Sequence, residues 1–144
     1  MKQRSKLNAW NKFGAVKTLK DGHTFHSKGE AVRYQELKLL EMGNHISNLE
    51  LQPRYTLVPS ADLIWYGKLR AITYVGDFSY EVEKSSVIRH LGQGLATKWE
   101  YLYPDYLSIP VCEDFKGHRT PEYKLKRQLF IRKYVEIYHL ETSS

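Results

Sequence analysis

Three residues of this chain have the types and spacing for metal-assisted chemistry on a phosphate. Asp114 and Lys116 stand two apart in a stretch that reads as a strand, so their side chains project from one face with backbones about 6.5–7 Å apart. Asp77 ends the regular part of another apolar alternation, and pairing of the two strands brings both aspartates to one edge of a sheet. Converging carboxylates suit Mg2+, which prefers oxygen ligands and keeps several waters, and Mn2+ can substitute. A lysine beside them can orient an attacking water or stabilise charge on phosphorus. Together the three are the parts of a phosphodiester-cleaving centre. Alone, however, D-x-K recurs by chance in many proteins, and an aspartate at a strand end is more often a turn or solvent residue.

Two further carboxylates bear on the centre. Glu113 points to the opposite face, and a register slip of one residue would bring it in while taking Lys116 out. Glu30 follows Ser27 by three, which makes it the acid of a helix capping box. A carboxylate at the first turn of a helix packed across the sheet also reaches a metal, and both readings of Glu30 stand.

The elements that must position these groups alternate between helix and strand. The first 26 residues read as an arm or short hairpin with its turn at Asp21-Gly22. A helix starts at Ser27, carries Ala31, Tyr34, Leu37 and Leu40 along one side, and stops at Gly43-Asn44. Leu51 to Val58 reads as an edge strand interrupted by Pro53. Arg70 to Val82 reads as one strand with Ile72, Tyr74, Phe78 and Tyr80 on its core face. Residues 83–106 read as an elaboration: a helix capped at Ser85-Ser86 and interrupted by Gly92 and Gly94, then Trp99, Tyr101 and Tyr103. Leu107 to Lys116 is a strand closed by Gly117. Thr120-Pro121 opens a helix to about Lys133, and Val135 to Leu140 is the last strand. This order predicts an α/β domain with a mixed sheet.

The chain has 144 residues, 42% of them apolar and 13% aromatic, enough for one domain with a core. The single Cys112 excludes an intrachain disulfide framework and fits a reduced, cytoplasmic setting. There is no apolar run of membrane-spanning length, and the basic N-terminal stretch lacks the apolar region of a signal peptide. The formal net charge of +6 resides in residues 1–20, a basic N-terminal arm without an acid, which leaves residues 21–144 as one balanced domain. A second basic concentration runs from Lys116 to Lys133. Two basic segments suit a polyanion such as DNA, although lysine-rich termini are also ordinary solvated features. Lys124, Lys126 and Arg127 on the helix after the site, and His118 just before it, are the candidate phosphate contacts; a solvated helical face explains the three cations equally well. The other histidines, His23, His26, His45, His90 and His139, lack paired metal-ligand spacing and read as structural. Gly92-Gln93-Gly94 lacks the lysine and hydroxyl residue of a phosphate-binding loop, so no nucleotide cofactor is expected.

Four blocks in order, SKGEAVRYQELKLLE (27–41), ISNLELQPRYTLVP (46–59), TYVGDFSYEV (73–82) and CEDFKGHRTPEYKLKRQLF (112–130), resemble small phage and prophage proteins of the PD-(D/E)XK nuclease superfamily. The resemblance implies a restriction-endonuclease-like core, a central mixed β-sheet flanked by helices and similar to that of Holliday-junction resolvases. It implies that Glu30, Asp77 and Asp114 bind the metal, that Lys116 assists, and that Gln52 in the LQP segment supports the site or bonds to backbone. The implied activity is Mg2+-dependent DNA cleavage, with branched DNA or a Holliday junction as substrate and a homodimer as the acting form. The gap between Asp77 and Asp114 is long for adjacent strands, and residues 83–106 within it could grip DNA, form a dimer surface, or be a satellite core. The rival expectation is a DNA-binding accessory protein without catalysis; an RNA-directed protein is a third.

Overall fold

The computed structural model describes residues 18–143 of the chain, and the basic segment 1–17 lies outside them. The order is β1 (Thr18–Lys20), β2 (His23–Phe25), α1 (Lys28–Met42), β3 (Ile46–Leu51), β4 (Arg54–Val58), β5 (Ala61–Leu63), β6 (Gly67–Leu69), β7 (Ile72–Val75), β8 (Phe78–Glu83), α2 (Val87–Leu91), α3 (Gln93–Leu102), β9 (Ser108–Phe115), α4 (Pro121–Lys133) and β10 (Tyr138–Thr142). The central sheet has four strands in the order β10-β9-β8-β3, antiparallel except for the β9–β10 pair, which α4 connects as a parallel crossover. The protein is thus mixed α/β. Among the described residues no helix is long and apolar enough to cross a membrane.

Local sequence signals set several element limits. Asp21 and Gly22 both take positive φ, as a two-residue hairpin turn requires. The Ser27 hydroxyl accepts from the Glu30 N–H at 3.1 Å and caps α1. The left-handed residue at the helix end is Asn44, whereas Gly43 has φ of −84°. Thr120 caps α4 in the same manner, with Pro121 at the first position. Only Gly92 interrupts the α2–α3 segment, and Gly94 lies inside α3. Val87, Ala96 and Trp99 from that segment pack into the main core with Leu37, Phe78 and Val111, so this part of residues 83–106 belongs to that core rather than to a satellite of it. The last strand begins three residues later than its β-branched residues predict.

The strand expected over Arg70 to Val82 is two strands. It breaks at Gly76-Asp77, and the break puts its aromatic residues into different cores. Phe78 and Tyr80 face α1, whereas Tyr74 packs with Phe130 of α4, Leu57 and Cys112 on the other side of the sheet. The expected Leu51 to Val58 strand breaks at the same level, at Gln52-Pro53. There the Gln52 N–H donates to the Asp77 carbonyl at 2.9 Å and the Gly76 N–H to the Pro53 carbonyl at 3.1 Å. Leu51 pairs with Phe78 and, three residues on, Arg54 pairs with Val75, so one register runs across both breaks. Likewise Val58 pairs with Ile72 and Ala61 with Leu69. Residues 46–83 are therefore one long hairpin, with irregularities at Ser47/Glu50 and Thr56/Val58. Its inner part belongs to the central sheet and its outer part leaves as an arm.

Gly76 is required where the hairpin turns out of the sheet. A Cβ there would stand 2.6 Å from the Cys112 sulfur, which is fully buried, and 3.4 Å from Pro53. Burial also pushes the Cys112 thiol up to about 12. Gly76→Ala should lower stability by about 1–3 kcal/mol through overpacking, read by urea denaturation; an unchanged midpoint would mean that the two strands can move apart freely at this point.

Glu113 is the other fixed point of the sheet. Its fully buried carboxylate accepts from Arg33 Nε at 2.6 Å and Nη2 at 3.1 Å, from the Tyr80 hydroxyl at 2.6 Å and from Thr142 at 3.1 Å. Burial opposes the charge of Arg33, but Glu113 more than offsets it and the guanidinium pKa is raised. Arg33→Met strands that carboxylate and should cost about 3–5 kcal/mol, while Arg33→Met with Glu113→Gln should recover most of the loss. Equal denaturation midpoints for the single and double variants would disprove the pairing.

Candidate active site

Phe78 pairs with Glu113 across the β8–β9 ladder, which sets Asp77 opposite Asp114 at the end of that ladder, where β9 still pairs with β10. Side chains alternate along β9, so Glu113 turns to α1 and Asp114 to α4. The expected convergence is present. Lys116 Nζ lies 3.2 Å from Asp114 Oδ1 and 3.5 Å from Asp77 Oδ2. Asp77 Oδ2 also accepts from the Phe115 N–H at 2.7 Å. Burial opposes the charge of Lys116, yet the two aspartates together outweigh burial and raise its pKa. Its ammonium also stands 5.2 Å from the centre of the Tyr123 ring, within cation–π range. Lys116 is therefore a cation held by two carboxylates and an aromatic ring.

Glu30 joins from α1. Its carboxylate accepts from the His26 N–H at 2.6 Å, rather than from Ser27 as a capping box would have it. Burial first, and then the Asp77 carboxylate, raise its pKa, while the His26 N–H works against them. Glu30, Gln52 and Asp77 line one cleft of about 450 Å³, walled by the β1–β2 hairpin. Gln52 holds a positive φ of 50°, so it contributes both a backbone bond to the Asp77 carbonyl and a place in the cleft. Gly29, beside Glu30, is in close approach to the Phe115 ring, where a Cβ would stand 2.6 Å away. Each of the two acids in the cleft thus follows a glycine at a point of close approach.

Asp114 has no exposed surface. Its Oδ2 accepts from His139 Nε2 at 2.8 Å and stands 3.5 Å from the Tyr123 hydroxyl. The Arg127 Nε donates to His139 Nδ1 at 3.3 Å, which leaves the ring proton on Nε2, pointed at Asp114. The Tyr74 hydroxyl stands 2.5 Å from the same Nε2. Asp114 Oδ1 has no hydrogen-bond partner; Lys116 approaches it outside hydrogen-bond geometry. His139, read from sequence as structural, is the residue that orients Asp114. Only the parallel pairing of β10 with β9, with His139 opposite Cys112, brings the two together, and no spacing signal marks it.

The expected phosphate contacts divide. Arg127 is turned inward to His139 and to Glu141, 2.5 Å away. Lys126 pairs with Glu122 at 2.9 Å within α4. Lys124 and His118 are exposed. Glu113, the register alternative, is committed to Arg33 on the far face. A separate cleft of about 480 Å³, lined in part by Trp99, Tyr103, Tyr106 and Ser108, opens at the opposite end of β9 from Asp114.

The donors suit a divalent cation. Among the described residues no three His, Cys, Asp or Glu side chains are gathered at metal-holding spacing. Two features nevertheless fit such an ion: repulsion between Glu30 and Asp77, which a cation would relieve, and the Asp114 Oδ1, which has the charge of Lys116 nearby but no hydrogen bond. Mg2+ needs only one or two protein carboxylates because it keeps its waters.

No curated protein matches the chain, and no solved structure matches it. Residues 10–103 match a protein family described as a protein of unknown function, DUF1064. That span contains Glu30, Gln52 and Asp77 and stops before Asp114 and Lys116. Since it covers well over half of the sequence, the chain belongs to the DUF1064 family.

Proposed function

We propose that the protein is a Mg2+-dependent DNA endonuclease of the PD-(D/E)XK kind. The observation that carries this reading is the convergence of Asp77, Asp114 and Lys116 at one sheet edge, with Glu30 reaching Asp77 from α1. A helix, three antiparallel strands, a helix and a fourth strand parallel to the third support a restriction-endonuclease-like core. A junction-resolving form would act as a dimer, because symmetric cuts need two such sites.

Asp77, Asp114 and Glu30 would hold the cation, which when bound polarises the phosphate and lowers the pKa of water. Lys116, kept charged by its two aspartates, stabilises the negative charge that develops on the phosphoryl oxygens. His139, itself held by Arg127, fixes Asp114 in one orientation. Hydrolysis breaks the P–O3′ bond: the oxygen of water stays on phosphorus and its proton passes to O3′, leaving a 5′-phosphate.

Two measurements test this reading. Mg2+ or Mn2+ should raise the melting temperature of the wild type by ligand linkage, and Glu30→Gln with Asp77→Asn should abolish the rise; an equal rise in that variant rejects these residues as ligands. Labelled four-way junction, flap, duplex and single-stranded DNA should be cut by the wild type with Mg2+ and not with EDTA. Lys116→Ala and Asp114→Asn should each cut at least about 100-fold more slowly. Binding without cutting in all three proteins would replace the enzyme with an accessory DNA-binding protein.

A further inference from the structure

The outer part of the long hairpin has no cover among the described residues. Every residue over 58–72 is exposed, although a two-stranded ribbon alone is marginal in water. At its end Leu63 pairs with Gly67, and the three residues between them are Ile64, Trp65 and Tyr66, which are 98%, 89% and 78% exposed. This tip is a formed turn: the Tyr66 N–H donates to the Leu63 carbonyl at 3.2 Å and Gly67 takes the left-handed φ of 68°, the arrangement of a three-residue hairpin loop with a terminal glycine. Three adjacent large apolar side chains are thus held outward on a shaped turn, at a cost in solubility that calls for a partner.

The base of the arm is gripped. Tyr55 packs edge-on against Phe130 and Tyr134 with ring centres 4.8 and 5.3 Å apart. Lys133 Nζ donates to the Thr56 carbonyl at 2.7 Å, and the Tyr134 hydroxyl to the same carbonyl at 2.9 Å. Beyond this clamp the arm carries Lys68 and Arg70 against a single acid, Asp62. Lys68 stands opposite Asp62 in the pairing, so Arg70 is left as the unopposed charge and the arm is net positive, the sign that suits a polyanion. The inner end of the arm is Gly76-Asp77, at the cleft itself. Asp77 is eleven positions from Tyr66, a reach of up to about 35 Å for extended chain, or about ten base pairs of duplex.

We propose that Ile64, Trp65 and Tyr66 form a wedge that enters DNA at unpaired bases, the aromatic rings stacking on those bases while Lys68 and Arg70 lie along the backbone. Stacking of this kind is tolerant of sequence and recognises bases whose faces are open. The inference rests on the reading of the cleft as a DNA-cutting centre, whose substrate it narrows to DNA with a branch or an unpaired stretch about one helical turn from the cut.

The test uses full-length protein without divalent metal and a forked duplex bearing 2-aminopurine at the branch, beside a blunt duplex of the same sequence. Wild type should brighten the 2-aminopurine by unstacking it. Trp65→Ala with Tyr66→Ala should lose that signal and bind the fork at least about tenfold more weakly, with blunt-duplex affinity within twofold and melting temperature unchanged. Trp65→Leu with Tyr66→Leu, which keeps the tip apolar without rings, should fail in the same way. Wild-type behaviour in either variant, no brightening by the wild type, or a change confined to oligomeric state by sedimentation overturns the wedge. Because the signal needs no cleavage, brightening by a protein that never cuts DNA would sink the nuclease and leave the wedge standing.

Discussion

The pairing of Phe78 with Glu113 is the constraint on which the rest depends. Two adjacent acids, Glu113 and Asp114, are both fully buried and point to opposite faces of the sheet. Each has its own cation: Arg33 for Glu113, and Lys116 with the proton of His139 for Asp114. A slip of one residue would exchange the faces and put each carboxylate among the wrong partners, and an unpaired buried charge is among the costliest errors a core can hold. This double pairing locks the register, and the register is what places Asp77 beside Asp114.

Lys116 serves the same end. Its ammonium lies 3.5 Å from Asp77 and 3.2 Å from Asp114 and offsets the repulsion between them. Glu30 lies beyond its direct reach, and its pKa is raised because burial and Asp77 both disfavour its charge. The centre therefore has one neutralised side and one under repulsion, and the second faces the cleft.

The α4 helix links this centre to the arm. Its first half supplies Tyr123 and Arg127 around Lys116 and His139, and its last residues clamp the bulged strand at Thr56. One rigid element therefore sets both the orientation of Asp114 and the direction in which the arm leaves. The breaks at Gln52-Pro53 and Gly76-Asp77 let the same hairpin serve the central sheet and the arm, because the residues in the breaks still bond to each other across them.

Features that depend on neighbours in sequence were legible there: the caps at Ser27 and Thr120, the Asp21-Gly22 turn, and the two-residue spacing that puts Asp114 and Lys116 on one face. The strand over Arg70 to Val82 was misread because alternation of apolar residues continues through Gly76 even though the chain changes sheets, and periodicity carries no record of which sheet a strand joins. The arm over residues 59–69 escaped notice because its apolar residues face no core and so show no alternation. His139 and the commitment of Glu113 to Arg33 were beyond sequence reading altogether, since a parallel crossover and a helix packed across the sheet set them. Contacts between neighbours along the chain settle which local segments form, and composition settles which residue types are available for chemistry. Tertiary structure alone decided which of those residues meet, because register, crossover and burial are properties of strands distant in the chain.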